Sequence, residues 1–307
     1  MTAIFNVINQ YVLQYVLRFM MMICNNNFAL AILLFTVLIN IILIPLGIKS
    51  QKASVQQTLI KPKLDVLKKK YGDDKQKYNT AMQELYQKEN VSMSGGCLPM
   101  IIRLVFLMSV YYLVVSPITY LTNVDAATIS SAVESVGLNA SNQRVQLDLI
   151  TKILNMEPGQ ATGALATVSD AVRSINFDFF GINLTETPHF SFNLKNAQLN
   201  WIIPLLSFAA AMLSSVISMQ MQKKINPDSP NMAGLLLTTP IISLIIAFSA
   251  PCGLGFYWAC SSLIGGVVQA GIQHFYGPYK MIAKQRSKSI VKTYEAEQKI
   301  INSRSAE

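Results

Sequence analysis

Charge is what this chain has least of. Asp, Glu, Lys and Arg make up 13% of its 307 residues and hydrophobic residues 51%, against roughly 25% charged in soluble domains. The deficit argues against an ordinary soluble domain and directs attention to the apolar runs. Cysteine is scarce too: four residues, at 24, 97, 252 and 260, with no CxxC pair and no neighbouring histidine cluster. That excludes a zinc site and a disulfide framework. The two histidines, His189 and His274, stand far apart and suit loops or interfaces. No nucleophile–base pair is visible, so an enzyme is the least supported class and no cofactor is expected.

Five runs are long and apolar enough to cross about 30 Å of hydrocarbon: 28–48, 100–120, 201–222, 232–250 and 253–273. Ser249-Ala250-Pro251-Cys252-Gly253 separates the last two as a tight turn. Loop charge sets their direction. Residues 49–96 hold ten Lys against five acidic residues, 223–231 two Lys against one Asp, and 277–307 seven basic against three acidic, whereas 121–199 holds four basic against seven acidic. All the basic segments share one side if five spans run from an outer N-terminus to a cytoplasmic C-terminus. The net charge of +9 is then mostly a positive-inside signature, and direct, specific nucleic-acid binding is not expected.

The fold class is therefore an all-α polytopic membrane protein with additions at both surfaces. Residues 1–25 carry Asn6, Gln10, Gln14 and Arg18 every four residues on an apolar helix, which predicts an outer interfacial helix. A signal peptide is disfavoured by the lack of an early positive charge and of a small-residue cleavage site. Within 49–96, Val55, Leu59, Leu64, Leu67 and Tyr71 mark one seam and Tyr78, Met82 and Leu85 another, joined at Gly72-Asp73-Asp74. That is a cytoplasmic helical hairpin with a glycine stop and aspartates suited to capping. Its lysines, Lys61, Lys63, Lys68, Lys69 and Lys70, suit anionic lipid, a partner or a client. In the outer loop 121–199, Ile129/Val133/Val136, Val145/Leu149/Ile153 and Leu165/Val168/Val172 predict short helices. The tail 277–307 reads as basic and partly helical or disordered.

Arg103 interrupts the second run about seven residues beyond Gly95-Gly96, roughly 10 Å deep at 1.5 Å per residue. Snorkelling to the cytoplasmic headgroups is the plain explanation. The alternative is a polar cavity, because an intramembrane arginine costs about 2.5–3.5 kcal/mol or more unless it faces protein or water. Asn40 interrupts the first run at similar depth, with Thr36 one turn away. The last run adds Ser262 and Gln269, the third Ser207, Ser214, Ser215 and Ser218. No acidic residue lies in any run to pair with Arg103, so hydration from the cytoplasm is the remaining way to accommodate it.

These residues resemble the YidC-type membrane protein insertases, bacterial relatives of the mitochondrial Oxa and chloroplast Alb proteins. The similarity runs in order through most of 1–275. It is strongest in ILLFTVLINIILIPLGIKSQ, in IKPKLDVLKKKYGDDKQKYNTAMQELYQKENVSMSGGCLPMIIRLVF and in FSAPCGLGFYWACSSLIGGVVQ. The outer loop is longer than in familiar members. The resemblance implies a protein of the bacterial cytoplasmic membrane that inserts and helps fold nascent membrane proteins through a hydrophilic groove, alone or beside the Sec channel. It also implies ribosome or targeting-factor contacts through the hairpin and tail. In this sequence the groove set is Arg103, Asn40, Thr36, Gln269 and Ser262. The family usually carries its groove arginine five residues before the Pro of the PL motif, where this chain has Asn40, and commonly glutamine four residues after the Pro of GGCxP, where it has Arg103. The charge has then changed helices and left an amide behind. A secondary transporter and a purely structural assembly factor are the alternatives. The first lacks an inverted repeat and an intramembrane carboxylate.

Overall fold

Proline sets the first two breaks. Helix α2 (Phe28–Ile42) stops at Leu43, and α3 (Ile44–Tyr71) starts with Pro45 in its first turn; α5 (Leu98–Val115) stops at Ser116, and α6 (Pro117–Leu121) starts on Pro117. A first-turn proline gives up an N–H that has no helical partner there, but it cannot continue the preceding helix. The runs 28–48 and 100–120, expected as unbroken spans, are each interrupted for this reason. The protein is described here by a computed structural model, which describes residues 9–89, 91–92, 98–191, 198–225 and 233–304. Residues 1–8 of the expected interfacial helix, Gly95-Gly96, the link 226–232 and the side chain of Arg103 lie outside that description.

The order continues with α1 (Gln14–Ile23), preceded by a π-helical turn at Asn9–Leu13, and α4 (Lys75–Lys88) after α3. Then come α7 (Ala126–Ser135), α8 (Val145–Asn155), α9 (Ala164–Arg173) and a two-stranded hairpin, β1 (Asp178–Phe179) with β2 (Ile182–Asn183). The chain ends with α10 (Ile202–Ile225), α11 (Ala233–Ser249), α12 (Cys252–Phe275) and α13 (Pro278–Arg304). The protein is all-α apart from that hairpin among the described residues. Among the described residues, Leu199–Gln220 alone is by length and composition fit to cross a membrane, and α2 with α3 makes a second such segment if counted as one broken span. Leu104–Val115 and Pro240–Ser249 are shorter apolar helices.

The chain divides into two units. The first comprises residues 1–42, 102–221 and 229–267. Its connection from 122 to 191 has its own interior: Leu149, Ile150, Ile153, Val168 and Ala132 are fully buried. It also bonds the ends of five helical segments. The Phe28 N–H donates to the Asn176 carbonyl, and the Thr119 N–H to Gln146 Oε1. Trp201 Nε1 donates to the His189 carbonyl, and the Cys252 and Gly253 N–H groups to the carbonyls of Glu186 and Leu184, each at 2.7 Å. Arg144 Nη2 donates to the Ser249 carbonyl at 2.6 Å. Within the connection, Lys152 donates to the Val136 carbonyl and Arg173 to those of Ile153 and Met156. These cations sit where helix dipoles leave negative ends and unpaired carbonyls.

Helix α1 packs on α2 and α6, burying Leu13, Leu17, Met20 and Met21. Arg18, one of the polar residues at four-residue spacing, is half-buried and bonded. Its Nε donates to the Tyr120 carbonyl (2.8 Å) and its Nη1 to Asn123 Oδ1 (2.7 Å). Nη2 reaches the carbonyls of Thr119 and Thr122, so one guanidinium closes the end of α6. Burial pulls its pKa down and Tyr15 pushes it back up. The outward face of α1 carries Tyr15, Phe19, Met22 and Ile23 instead.

The second unit comprises 43–101, 222–228 and 268–307. Its α3 and α4 are joined through 72–74. Asp74 caps α4 by accepting from the Lys77 N–H at 3.1 Å. Gly72 has an ordinary helical φ of −59°, not the left-handed one expected of a glycine stop. Glycine is needed because a Cβ there would stand 2.5 Å from the Lys68 carbonyl oxygen. The tail forms one helix, α13, packed on α3.

Candidate functional site

Helix α12 is rich in glycine, and two adjacent glycines decide what approaches it. A Cβ at Gly265 would stand 3.5 Å from Asn40 Oδ1, and one at Gly266 would stand 3.9 Å from Ser214 Oγ. Polar side chains of α2 and α10 therefore converge on the Gly265-Gly266 step. Close helix approach through small residues, with polar groups bonding across it, is the usual packing chemistry inside a bilayer.

Thr36 is fully buried and spends its hydroxyl on its own helix, donating to the Ile32 carbonyl at 2.6 Å. Asn40 is half-buried and its Nδ2 donates to the Thr36 carbonyl at 2.8 Å. The second carbonyl lone pair is thus used, and Asn40 Oδ1 is left as an acceptor without a hydrogen bond among the described residues. About two turns before Ser214 on α10, Ser207 is 1% exposed, and its Oγ has no partner among the described residues. Ser262 is half-buried on α12. Arg103 lies within α5, in the same unit as Asn40. Gln269, half-buried, belongs to the second unit. Asn40 is thereby brought to Gly265 and Ser214 to Gly266; Thr36 meets Asn40 only through its carbonyl, and Gln269 is not placed with them.

In the second unit, Lys68, Lys69 and Lys70 are exposed and Lys61 is half-buried. Lys70 Nζ stands 4.9 Å above the Tyr71 ring, and its hydrogen bond to Tyr71 raises its pKa. Lys63 is committed to Glu89 at 2.5 Å. Between α3 and α4 lies an open cleft lined by Val66, Leu67 and Leu85 together with Lys70 and Lys88. Sequence reasoning missed the Gly265-Gly266 step and the cap made by Arg18. The glycine pair inside an apolar run was a usable signal; nothing in the spacing of Arg18 could have named carbonyls about a hundred residues away.

No group of three or more His, Cys, Asp or Glu residues able to hold a metal occurs among the described residues. The site offers hydrogen-bond donors and acceptors in apolar surroundings, a means of binding rather than of bond making.

Polar side chains packed against glycine within apolar helices are the arrangement of an integral membrane protein. The family described as "60Kd inner membrane protein" matches residues 19–278, and the chain belongs to that family. It is 23% identical over 267 residues to the "Membrane protein insertase YidC" of Brucella melitensis biotype 1, covering 87% of this chain and 35% of that one. To the protein of the same name in Fusobacterium nucleatum it is 24% identical over 245 residues, covering 79% and 84%. To that of Anaeromyxobacter dehalogenans strain 2CP-C it is 39% identical over 99 residues, covering 32% and 18%. The chain thus spans about a third of the length of the Brucella relative.

Proposed function

We propose that this protein is a membrane protein insertase of the bacterial inner membrane. It takes the short polar tail of a nascent client partway across and releases the client's apolar helix sideways into lipid. The observation that carries this reading is the half-buried Asn40 amide, whose acceptor is unbonded among the described residues, set against Gly265 within apolar helices in a family of inner membrane proteins. A client tail crossing hydrocarbon loses several kilocalories per bare polar group. A wet, polar groove reaching partway shortens that dry path, and the client's own hydrophobicity completes the transfer.

In this reading five spans alternate with the N-terminus outside, α3 and α4 form a cytoplasmic hairpin, and 121–199 lies outside. Two observations support it. The basic excess falls in 49–96, 223–231 and 277–307. The connection bonds the starts of α2, α10 and α12 and the ends of α6 and α11, which are the ends that would meet on one side of an alternating bundle. The hairpin lysines and α13 meet a ribosome, a targeting factor or anionic lipid, and the Sec channel is a partner for some clients.

Arg103 supplies the groove's charge from α5, and Asn40 supplies an amide from α2. Ser262 and Gln269 extend the polar lining along α12. The test is insertion into proteoliposomes of a single-span client with an acidic outer tail, comparing wild type, Arg103→Gln, and Arg103→Gln with Asn40→Arg. Loss of insertion in the single variant and recovery in the double is the expected outcome. Full insertion by a folded Arg103→Gln protein would assign Arg103 to snorkelling and leave polarity alone to carry the groove.

A further inference from the structure

The hairpin β1–β2 turns through two residues, Phe180 and Gly181, with Asp178 opposite Asn183 and Phe179 opposite Ile182. Both turn residues have positive φ, 52° and 80°, the pattern of a type I′ turn. That turn selects Asn, Asp or Gly at its first position, because a Cβ is strained there. The chain places a phenylalanine in that position. Phe180 is also 87% exposed, the most exposed of the large apolar side chains described. Residue 180 therefore carries a backbone penalty and an exposure penalty together. The turn itself is otherwise well made: Asp178 accepts from the Gly181 N–H at 3.0 Å, and Phe179 turns inward against Phe256, ring centres 4.7 Å apart.

One edge of the Phe180 ring meets Phe179, ring centres 4.8 Å apart, and the neighbours of the turn point to what covers the rest. A Cβ on Gly181 would stand 3.5 Å from Leu199 Cδ2. Leu199 begins Leu199–Gln220, the helix that by itself is long and apolar enough to span, and is itself 55% exposed. Beside that same helix start, Trp201, Phe190 and Phe248 form a mutual aromatic cluster with ring centres 5.2–5.6 Å apart. Trp201 keeps its indole N–H bonded to a carbonyl. Aromatic rings gathered at the end of a spanning helix are the signature of the membrane–water boundary. No Lys or Arg falls between 174 and 191, so attraction to lipid phosphate is not what holds this stretch there.

We infer that the Phe180-Gly181 turn inserts its aromatic ring into the outer leaflet at the boundary of headgroups and chains, tying the connection to lipid beside the start of α10. This rests on the spanning reading of α10 given above. The strain at 180 is kept because a better turn residue would have no apolar group to bury.

The test places the photoreactive residue p-benzoylphenylalanine at 180, and separately at Leu213, in the full chain in phosphatidylethanolamine–phosphatidylglycerol nanodiscs. Leu213 is 54% exposed midway along α10. Lipid adducts at both positions are expected. Lipid at 213 with water-quenched or protein-only products at 180 overturns the inference while leaving the spanning helix in place. Lipid at neither position overturns both. Hydrogen exchange of Phe180→Asn supplies an independent reading. Asn-Gly suits the turn, so a purely local role gives slower exchange across 181–184 and overturns the inference. Loss of a lipid anchor gives exchange at least about threefold faster in nanodiscs.

Discussion

The connection 122–191 and the hairpin of α3 and α4 are both made of amphipathic helices joined by short turns, but only the first has an interior. In the connection, α8 fully buries Leu149, Ile150 and Ile153, and α9 buries Val168 and Val172. In the hairpin, α4 buries no residue, and α3 buries only Gln51, Val55 and Ile60 along 28 residues. The cations differ in the same way. Arg144, Lys152 and Arg173 each donate to a carbonyl at a helix end, whereas Lys68 and Lys69 are exposed and make no hydrogen bond among the described residues. A stretch that must hold other elements in register invests in a core. A stretch that must meet something outside itself leaves a run of charge such as Lys68-Lys69 on its surface.

The largest test of that contrast is a matched pair of truncations. Ile150→Ala removes a fully buried side chain and is expected to destabilise the first unit by about 2–5 kcal/mol, while Leu85→Ala on the half-buried seam of α4 stays within about 1 kcal/mol. Thermal unfolding in nanodiscs measures both, and equal losses would erase the distinction. Next in size is Arg18→Met. It leaves the α6 carbonyls without their partly buried cap and is expected to cost about 1–3 kcal/mol, with new proteolysis at 116–124. The smallest effect lies in the hairpin. The Lys77 amide, and then the Lys77 side chain, hold the Asp74 carboxyl below its usual 3.8. A depressed pKa means this cap is fully present above that value and is lost as pH falls through the lower folded one. Amide exchange at 75–78 should quicken only in that acid window, and Asp74→Ala should give the acid rate at neutral pH. An unchanged rate in the variant would remove Asp74 from the cap.

The membership in an all-helical inner membrane family was legible in the sequence, because apolar runs and charge deficits report directly on solvent. Asp74 was legible for a different reason: a cap acts on a residue three positions ahead, and local chemistry leaves local marks. The interruptions at Leu43 and Ser116 were readable in principle from Pro45 and Pro117, but those prolines sit in apolar runs whose continuity outweighed them. The partners of Arg18 were not legible because periodicity says which side of a helix a residue is on and nothing of what lies opposite. The Phe180 turn went unnoticed because its first residue is not of the type that marks a turn. Asn40 was picked out as a polar interruption, yet its convergence with Ser214 on Gly265-Gly266 joins residues that no window along the chain contains.

The connection's bonds also set an order on synthesis. Asn176 can pair with Asn26 and Phe28, and Gln146 with Thr119, as soon as those stretches have left the ribosome. The carbonyls of Leu184 and Glu186 must then wait for Cys252 and Gly253, and Arg144 for Ser249. Translation thus completes the template before the last two helices that dock on it exist, so the protein's own assembly runs from a finished half to an arriving one.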